Sequence, residues 1–589
     1  MKKISCFLLL FSFVVLQVFA QEKGEVKNKA EEVNSIHVFK GEVQKREKKK
    51  KPMVVNRERP AEWNNLVFGG RFMDLFLPMP DLGGLTSNTW GSSGVVPRDL
   101  NNGIEDPNWS FWGGNTRLLE DGNYHLFVAR WPESAEGGHM AWPLSEVVHA
   151  VSKNPFGPFK VKGEKIGEGH NPEWFVTKEG KYLIYVINCD YIADNINGPW
   201  KKIKHKYNSR DRVQKKVAHH YLHNNTFAQR EDGSFMMVNR HGQVWFSENG
   251  ESEWGRITQG KIYPPVEGKY EDPVIWRDNV QYHLLINDWL GRIAWHLRSK
   301  NGVKWKVDAG EAYVPGITYH KNGVKEDWHK YERPKVVQDK YGRAFAINLA
   351  VLDTLKYEDL ANDNHSSKLI TVPLVKNKLI KVLNNKAPSK STKNIEVVIQ
   401  SEEDFNPLTD IDFSTLRFGA PEEVDFGRGC KFISSKKLGS NLMLTFNVEG
   451  NGFDNNNFTG KLLGKTAKGE LLIAYSRLPW VNYSEPILST LLPTFEKTSE
   501  GAIINVEVEN FGEYASKKSL LKVVVSLNKT EVLNLEGEIK PLKPFEKTIV
   551  QFKTNDSVKQ NTKYNVKTII ISKGIDPVEF EVEKILIKE

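Results

Sequence analysis

The feature that most constrains the fold is a hairpin unit that occurs five times along the chain. Each copy has a polar residue, a short β-rich run, a turn built from Asp, Glu, Asn, Lys or Gly, and a second β-rich run. The copies follow one another at intervals of roughly 45 to 60 residues, a spacing typical of β-propeller blades. They occupy residues 115–130, 171–188, 225–240, 272–288 and 333–348.

These repeats predict an all-β chain whose first large domain, residues 61–385, is a five-bladed β-propeller. Residues 386–393 (KAPSKSTK) have the composition of a linker. Beyond it, short runs that alternate apolar and polar residues predict a β-sandwich accessory module at 394–492 and an immunoglobulin-like β-sandwich at 495–589. We expect both modules to pack against the propeller, and glycan binding is the alternative.

The amino terminus has the pattern of a secretory signal. Two lysines precede an apolar run, and small residues stand at the positions expected before a cut at Gln21. We therefore expect residues 1–20 to be a signal peptide and the protein to be periplasmic or secreted. Residues 21–60, rich in Lys and Glu, predict a disordered linker. Since no later apolar stretch is long enough to cross a bilayer, no membrane span is predicted.

Composition bears on the class of protein and on its partner. After removal of the signal, which contains Cys6, only Cys189 and Cys430 remain, so a disulfide scaffold is excluded. The formal net charge is +9, from 82 basic and 73 acidic residues. Because nucleic acid is a poor partner for an exported chain, we predict an anionic oligosaccharide or polysaccharide. The sequence leaves the oligomeric state open.

The residues that open the first strand of each repeat are candidates for a substrate site. In a propeller these strands line the central channel, so their first residues meet at one mouth. An apolar strand has no packing reason to begin with polar residues five times, although capping of turns is the alternative. The candidates are Asn115, His170, Asn171, His223, Asn224, Asn225, Glu271, Asp272, Glu332 and Arg333.

Three of these openings share a proline signature, in the segments GHNPEWF, YEDPVIW and YERPKVV. In these motifs the chain resembles the five-bladed glycoside hydrolases of families 43, 32 and 117. The resemblance implies a propeller fold and an activity in carbohydrate breakdown.

The resemblance also implies a catalytic triad from which this chain departs. Those hydrolases place an Asp base in blade one, an Asp that tunes the acid in blade two and a Glu acid in blade three. The matching positions here hold Asn115, Asn171 and the run 223–225, and asparagine cannot exchange a proton in this chemistry. Glu271 and Glu332 each stand two residues before Pro, as the family's acid does. With Asp272 and Asp288 nearby, hydrolysis by a shifted pair of carboxylates is predicted.

Basic and imidazole groups at the same predicted mouth favour an anionic sugar. Arg130, Arg240 and Arg333 are suited to binding a uronate or a sulfate, and His296 is a further candidate contact. Ion pairing of the arginines with Glu271, Asp272 or Glu332 is the alternative. His170 and His223 leave elimination at a uronic acid open, because a base there would remove the proton at C5.

The sequence therefore predicts a secreted enzyme of polysaccharide degradation, a glycosidase-like hydrolase acting on uronate- or sulfate-bearing chains. A lyase or dehydratase acting on a uronic acid is the first alternative, and a non-catalytic glycan-binding propeller is the second. No cofactor is predicted, although Glu271, Asp272 and Asp288 offer hard oxygen ligands for an axial divalent cation.

Overall fold

The computed structural model describes residues 59–86, 97–187, 189–208, 210, 223–290, 292–326, 328–363, 365, 367–555, 558–559 and 561–585. The predicted signal peptide and nearly all of the predicted linker lie outside these residues. The described part is almost entirely β-structure, which confirms the all-β prediction. Within it, no helix is long and apolar enough to cross a membrane. Its helical segments are the 3₁₀ turns Ala61–Asn65, Phe72–Leu75 and Gly138–Leu144 and the α-helical turn α1 (Pro421–Val424).

Residues 109–373 form five consecutive sheets, called here the ring domain, after a short pair of strands, β1 (Leu85–Thr86) and β2 (Arg98–Asp99). In each sheet, consecutive strands pair antiparallel in the order of the sequence, apart from one short strand in the first sheet that pairs with the third strand and one in the third sheet. The first sheet has β3 (Trp109–Leu118), β4 (Tyr124–Pro132), β5 (Glu146–Ser152), β6 (Lys160–Val161) and β7 (Gly167–Glu168), and the second β8 (Glu173–Val176), β9 (Tyr182–Val186), β10 (Cys189–Ala193) and β11 (Lys201–Ile203). The third has β12 (Tyr207–Asn208), which pairs parallel to its last strand, β13 (Thr226–Gln229), β14 (Phe235–Val238), β15 (Val244–Ser247) and β16 (Trp254–Arg256). The fourth has β17 (Tyr270–Arg277), β18 (Tyr282–Asp288), β19 (Ile293–Ser299) and β20 (Lys306–Val307), and the fifth β21 (Lys330–Gln338), β22 (Ala344–Leu352) and β23 (Ser367–Pro373).

The first strands of the five sheets contact one another in a closed cycle. β3 contacts β8, β8 contacts β13, β13 contacts β17, β17 contacts β21, and β21 returns to β3. Each sheet is therefore covered on both faces, which explains strands such as β18, where every residue is buried. The cycle brings the openings of all five first strands to one axis.

Residues 378–477 differ from the predicted sandwich, because they close into a seven-stranded barrel. Alternating strands suit either architecture, so the sequence pattern does not distinguish them. Closure depends on the strand Lys378–Val382, which the sequence assigned to the propeller and which pairs with both Asn394–Ile399 and Leu471–Arg477. The strands are β24 (Lys378–Val382), β25 (Asn394–Ile399), β26 (Ile411–Gly419), β27 (Cys430–Leu438), β28 (Asn441–Asn447), β29 (Thr459–Thr466) and β30 (Leu471–Arg477).

The carboxy-terminal residues form two four-stranded sheets around one apolar core. Their strands alternate buried and less buried positions, as in Ser519–Leu527, because one face of each sheet meets the other and one meets solvent. One sheet has β31 (Leu488–Thr490), β32 (Thr494–Thr498), β33 (Gly501–Asn510) and β36 (Lys547–Thr554). The other has β34 (Ser519–Leu527), β35 (Thr530–Ile539), β37 (Lys563–Ile571) and β38 (Val578–Ile585).

Both later modules are fixed to the ring domain by buried contacts. Phe72 and Trp276 share one core with Ile473 and Tyr475 of the barrel. In the last module, Glu509 lies 2.8 Å from the fully buried guanidinium of Arg210. Removing either partner of such a buried pair leaves an uncompensated charge, so these contacts hold the modules in place.

Candidate active site

Five positions, one in or just before the first strand of each sheet, meet around the axis of the ring domain in the left-handed backbone conformation. Their φ angles lie between 48° and 64°. Three of them sit where the pairing of the first strand with the second is interrupted by a bulge. This set, called here the axial ring, consists of Gly113, Asn171, Asn224, Asp272 and Arg333. Asn and Asp tolerate this conformation, whereas Arg333 adopts it at a cost in strain.

The axial ring is joined by side-chain hydrogen bonds. Nδ2 of Asn171 donates to Oδ1 of Asn224 at 2.9 Å, and Nδ2 of Asn224 donates to Oδ1 of Asp272 at 2.8 Å. Arg333 donates to Asp272 from Nη1 at 3.1 Å and from its backbone N–H at 3.3 Å. Since Gly113 has no side chain, the chain of bonds is open there. Asp272 and Arg333 are almost fully buried.

A second polar layer lies two residues further along the same strands. Glu173 and Lys335 form an ion pair across the axis, and both side chains are buried. Oε1 of Glu173 also accepts the backbone N–H of Phe227 at 2.9 Å. Burial lowers the pKa of Lys335 to about 8, while Glu173 acts in the opposite direction. In the first sheet this layer holds Asn115, whose side chain bonds the backbone of Trp174 at 2.8 and 2.9 Å.

In the fourth and fifth sheets, the residue directly before the axial ring is a glutamate that is partly exposed to solvent. Glu271 accepts Nη2 of Arg240 at 3.0 Å, and its side chain is 25% exposed. Glu332, from the neighbouring sheet, forms an ion pair with Lys330, and each side chain is 13% exposed. Nζ of Lys330 also lies 4.8 Å from the centre of the Trp289 ring. Together with Lys356, these residues are called here the mouth cluster: Arg240, Glu271, Lys330, Glu332 and Lys356.

The mouth cluster holds two carboxylates in unequal electrostatic surroundings. Partial burial raises the pKa of Glu271, and the charges of Asp272 and Glu332 act in the same direction, against Arg240 and Lys356. Burial lowers the pKa of Lys356 to about 8, with the charge of Lys330 adding to the effect. A carboxyl group with a raised pKa beside a second, cation-paired carboxylate matches the division of roles between acid and base in glycoside hydrolysis.

The two predicted histidines differ in what the structure shows of them. His170 is buried between the rings of Trp131 and Trp142, and its Nδ1 lies 2.9 Å from Oγ of Ser145. Burial lowers the pKa of His170 to about 3, and Arg333 adds to the effect, so the imidazole is neutral. His223 is also buried, and its backbone oxygen accepts a hydrogen bond from the backbone N–H of Arg240 at 3.0 Å.

Four other predicted contact residues have partners outside the mouth cluster. Arg130 pairs with Glu146 at 2.8 Å and stacks 3.9 Å above the Trp109 ring. Asp288 is buried, and its carboxylate accepts two backbone N–H groups and the indole of Trp295. Asn225 is fully buried beside Tyr207.

His296 belongs to a buried chain of polar groups that faces the barrel. Its Nδ1 lies 2.8 Å from Asp308, its Nε2 lies 3.1 Å from Nδ1 of His283, and His283 lies 3.0 Å from Asp278. Its ring packs 4.8 Å from the ring of Phe72. Burial lowers the pKa of His296 to about 4.

The arginines show the ion-paired alternative named above, since Arg240 pairs with Glu271 and Arg333 with Asp272. Glu271, Asp272 and Asp288 do not form a metal site: among the described residues, no group of three or more His, Cys, Asp or Glu side chains could hold a metal ion.

Sequence reasoning missed several residues of this region. Gly113 occupies the position in the axial ring that the repeat alignment gave to Asn115, and Asn224 the position given to Asn225. Lys335 follows Arg333 by two residues, as Glu173 follows Asn171, so the shared spacing was an available signal. Lys356 comes from the turn after β22, and no motif marks it.

No protein-family model matches the sequence, and no curated protein matches it either. Solved structures to which the chain is similar include a protein of unknown function from Dyadobacter fermentans, with 10% identity and a TM-score of 0.34 over 47% of this chain and 98% of that one. They also include a glycoside hydrolase, with 12% identity and a TM-score of 0.32 over 80% and 97% of the two chains. A xylan β-1,4-xylosidase from Bacillus halodurans has 10% identity and a TM-score of 0.31 over 82% and 92%. With every one of these TM-scores below 0.5, neither fold nor activity is carried over from them.

Proposed function

We propose that this chain is an exported glycoside hydrolase-like enzyme whose ring domain is a five-bladed β-propeller with its active site at the mouth cluster. The observation that carries the proposal is that Glu271 and Glu332, two partly exposed carboxyl groups from adjacent sheets, lie in one cluster with different cation partners. Glycoside hydrolysis needs two such carboxyl groups, one protonated and one ionised.

In this proposal Glu271 is the general acid. Its raised pKa keeps the proton available for the leaving oxygen of the glycosidic bond. Glu332, paired with Lys330, is the ionised partner that activates water or attacks the sugar carbon. Arg240 orients Glu271 and limits the rise of its pKa.

The substrate in this proposal is an anionic oligosaccharide. Arg240, Lys330 and Lys356 bring three cations to two carboxylates, so the mouth cluster has an excess of positive charge. Trp289 lies beside Lys330 and is half-buried, so it offers an apolar face for a sugar ring. A uronate or sulfate group would meet Lys356, whose ammonium group makes no hydrogen bond with the described residues.

Elimination at a uronic acid remains the alternative reaction. A neutral His170 is in the protonation state of a base, but a pKa of about 3 makes it a weak one, so this observation favours hydrolysis.

Product masses test the proposal. Hydrolysis of an acidic oligosaccharide adds one water to the summed products, lyase cleavage adds none, and dehydration removes one. Water addition that is lost in Glu271→Gln and Glu332→Gln supports the proposal. Products without added water support elimination, and binding without any product supports a glycan-binding propeller.

Export is proposed from the sequence alone. Amino-terminal sequencing of protein recovered outside the cytoplasm should begin near Gln21. A recovered protein that begins at Met1 would contradict the signal peptide.

A further inference from the structure

A small cavity adjoins the mouth cluster between the fourth and fifth sheets. The space for the centres of water-sized atoms in it is about 20 Å³, more than the roughly 10–15 Å³ that one water needs. Its walls are mostly apolar and come from Ile293, Tyr313, Pro315 and Tyr331. Half-buried side chains, those of Trp289, Arg292 and His329, form its rim.

One polar side chain that lines this cavity has an atom without a hydrogen-bond partner. Asn287 is buried, and its Nδ2 has no hydrogen-bond partner among the described residues. The hydroxyl of Tyr313 donates to Oδ1 of Asn287, which orients the amide and leaves its Nδ2 without an acceptor. A buried donor without a partner costs free energy that a ligand acceptor would recover.

Asp288, Tyr331 and Arg292, which also line the cavity, each have hydrogen-bond partners. The carboxylate of Asp288 accepts two backbone N–H groups and an indole N–H, and the hydroxyl of Tyr331 lies 2.7 Å from Oγ1 of Thr318. Arg292 donates from Nη2 to the backbone oxygen of His329 at 2.9 Å. The interior therefore offers one hydrogen-bond donor on an otherwise apolar surface.

The position of the cavity connects it to the proposed reaction. Asn287 pairs through its backbone with Glu271, and Tyr331 directly precedes Glu332 in β21. Trp289 belongs both to the rim and to the surroundings of Lys330. A substituent of a sugar held at the mouth cluster can therefore enter the cavity past Trp289.

We propose that this cavity binds a neutral acyl substituent of the sugar, an O-acetyl or N-acetyl group, with its carbonyl oxygen on Nδ2 of Asn287 and its methyl group against the aromatic walls. The proposal rests on the proposed function, because it places the sugar at the mouth cluster. A carboxylate is the less suitable occupant. Burial and the charges of Asp272 and Glu332 raise the pKa of Tyr313, which shows that negative charge is disfavoured there.

The experiment compares acetylated polysaccharides with samples of the same polysaccharides that have been deacetylated with base. Acetylated glucuronoxylan, alginate and pectin are immobilised beside samples from which mild alkali has removed the ester groups without cutting the chain. Binding of the full-length Glu271→Gln variant to each pair is measured. We expect about tenfold tighter binding to the acetylated member of at least one pair, from one hydrogen bond and one buried methyl group. Equal binding within every pair, or binding to neither member, overturns the proposal.

Variants test whether the cavity is responsible. A second substitution, Asn287→Leu, is introduced into the Glu271→Gln variant. It keeps the size of the side chain but removes the donor, and it should abolish the preference for the acetylated member. Asn348→Leu, a buried amide in the second strand of the fifth sheet that bonds Thr371, is the matched control and should preserve it. If Asn287→Leu does not fold, Tyr313→Phe releases the amide and should reduce the preference. A preference for the deacetylated member that Asn287→Leu removes identifies a carboxylate occupant instead and overturns the proposal.

Failure of the cavity proposal is distinguishable from failure of the proposed function. Wild-type protein that cleaves both members of a pair equally refutes the acyl site but not the hydrolase. Preferential binding without any cleavage by the wild type refutes the hydrolase but not the acyl site.

Discussion

The two carboxylates of the mouth cluster stand one residue before two members of the axial ring on the same strands, yet their surroundings are opposite. Asp272 is 2% exposed and is held by Asn224 and Arg333. Its neighbour Glu271 has a side chain that is 25% exposed and a single close cation. The same relation holds between Arg333 and Glu332.

This difference follows from the geometry of the strand. Successive side chains point to opposite sides, so a bulge that turns one residue toward the axis turns the preceding one toward solvent. Charges in the axial ring stabilise the closed cycle of sheets, whereas charges in the mouth cluster remain available to a substrate. Substitutions in the two sets should therefore fail in different ways.

The largest effect should come from Glu271→Gln. It keeps the shape of the side chain but removes its proton, so turnover should fall by about 10⁴-fold, or ~5.5 kcal/mol in activation free energy. The melting temperature should stay within about 2 °C of wild type, since exposed ion pairs contribute little to stability. Glu251→Gln, which removes a carboxylate 2.8 Å from Lys181 at similar exposure, is the control and should retain activity. Full turnover by Glu271→Gln would remove Glu271 from the reaction.

The axial ring should respond in stability instead. Asp272→Asn leaves the buried guanidinium of Arg333 without its counter-charge, which typically costs about 3–5 kcal/mol. Thermal unfolding should show a melting temperature lowered by roughly 6–15 °C. Asp339→Asn breaks a more exposed pair with Arg343 and should lower it by far less. Equal shifts for the two variants would mean that the axial ring does not stabilise the fold.

Variants of the ion pair in the second polar layer also test whether buried charges at the axis stabilise the fold. Lys335→Met should destabilise the protein by roughly 3 kcal/mol, because Glu173 keeps a buried charge without a partner. Glu173→Gln combined with Lys335→Met removes both charges, so it should recover most of that loss. Additive losses in the double variant, measured by thermal unfolding, would contradict direct pairing across the axis.

Part of this organisation was predictable from the sequence. The five hairpins indicated the sheets, and the Pro residues after Asn171, Asp272 and Arg333 marked three positions of the axial ring. The first sheet was misaligned, because its member of the ring is Gly113, whose role rests on backbone conformation and leaves no chemical signal. Ion pairing of Arg240 and Arg333 stayed undecided, since partners from different sheets are set by closure of the cycle. The barrel was taken for a sandwich because the pairing of β24 with β30 spans about a hundred residues.

Arg240→Ala should change the pH dependence of activity and leave the fold intact. Arg240 lowers the pKa of Glu271, so its removal should raise that pKa further. A general acid works only while it is protonated, and the alkaline limb of the kcat/KM profile should therefore move to higher pH. Binding of an acidic oligosaccharide should also weaken about tenfold through loss of a charge-assisted contact. An unchanged alkaline limb would assign the proton donor to a group other than Glu271.

The smallest effect should come from His170→Asn. A neutral imidazole enclosed by Trp131 and Trp142, next to the axial ring, fills space and meets Ser145, so hydrolysis should fall by no more than about threefold. The melting temperature should drop by a few degrees, as for other buried substitutions that keep some of the volume. Turnover measured by the mass of the products separates the two reactions. Loss of turnover in His170→Asn with activity kept in Glu271→Gln would assign the chemistry to the imidazole and not to the carboxylates. Elimination would then replace hydrolysis as the proposed reaction at the mouth cluster.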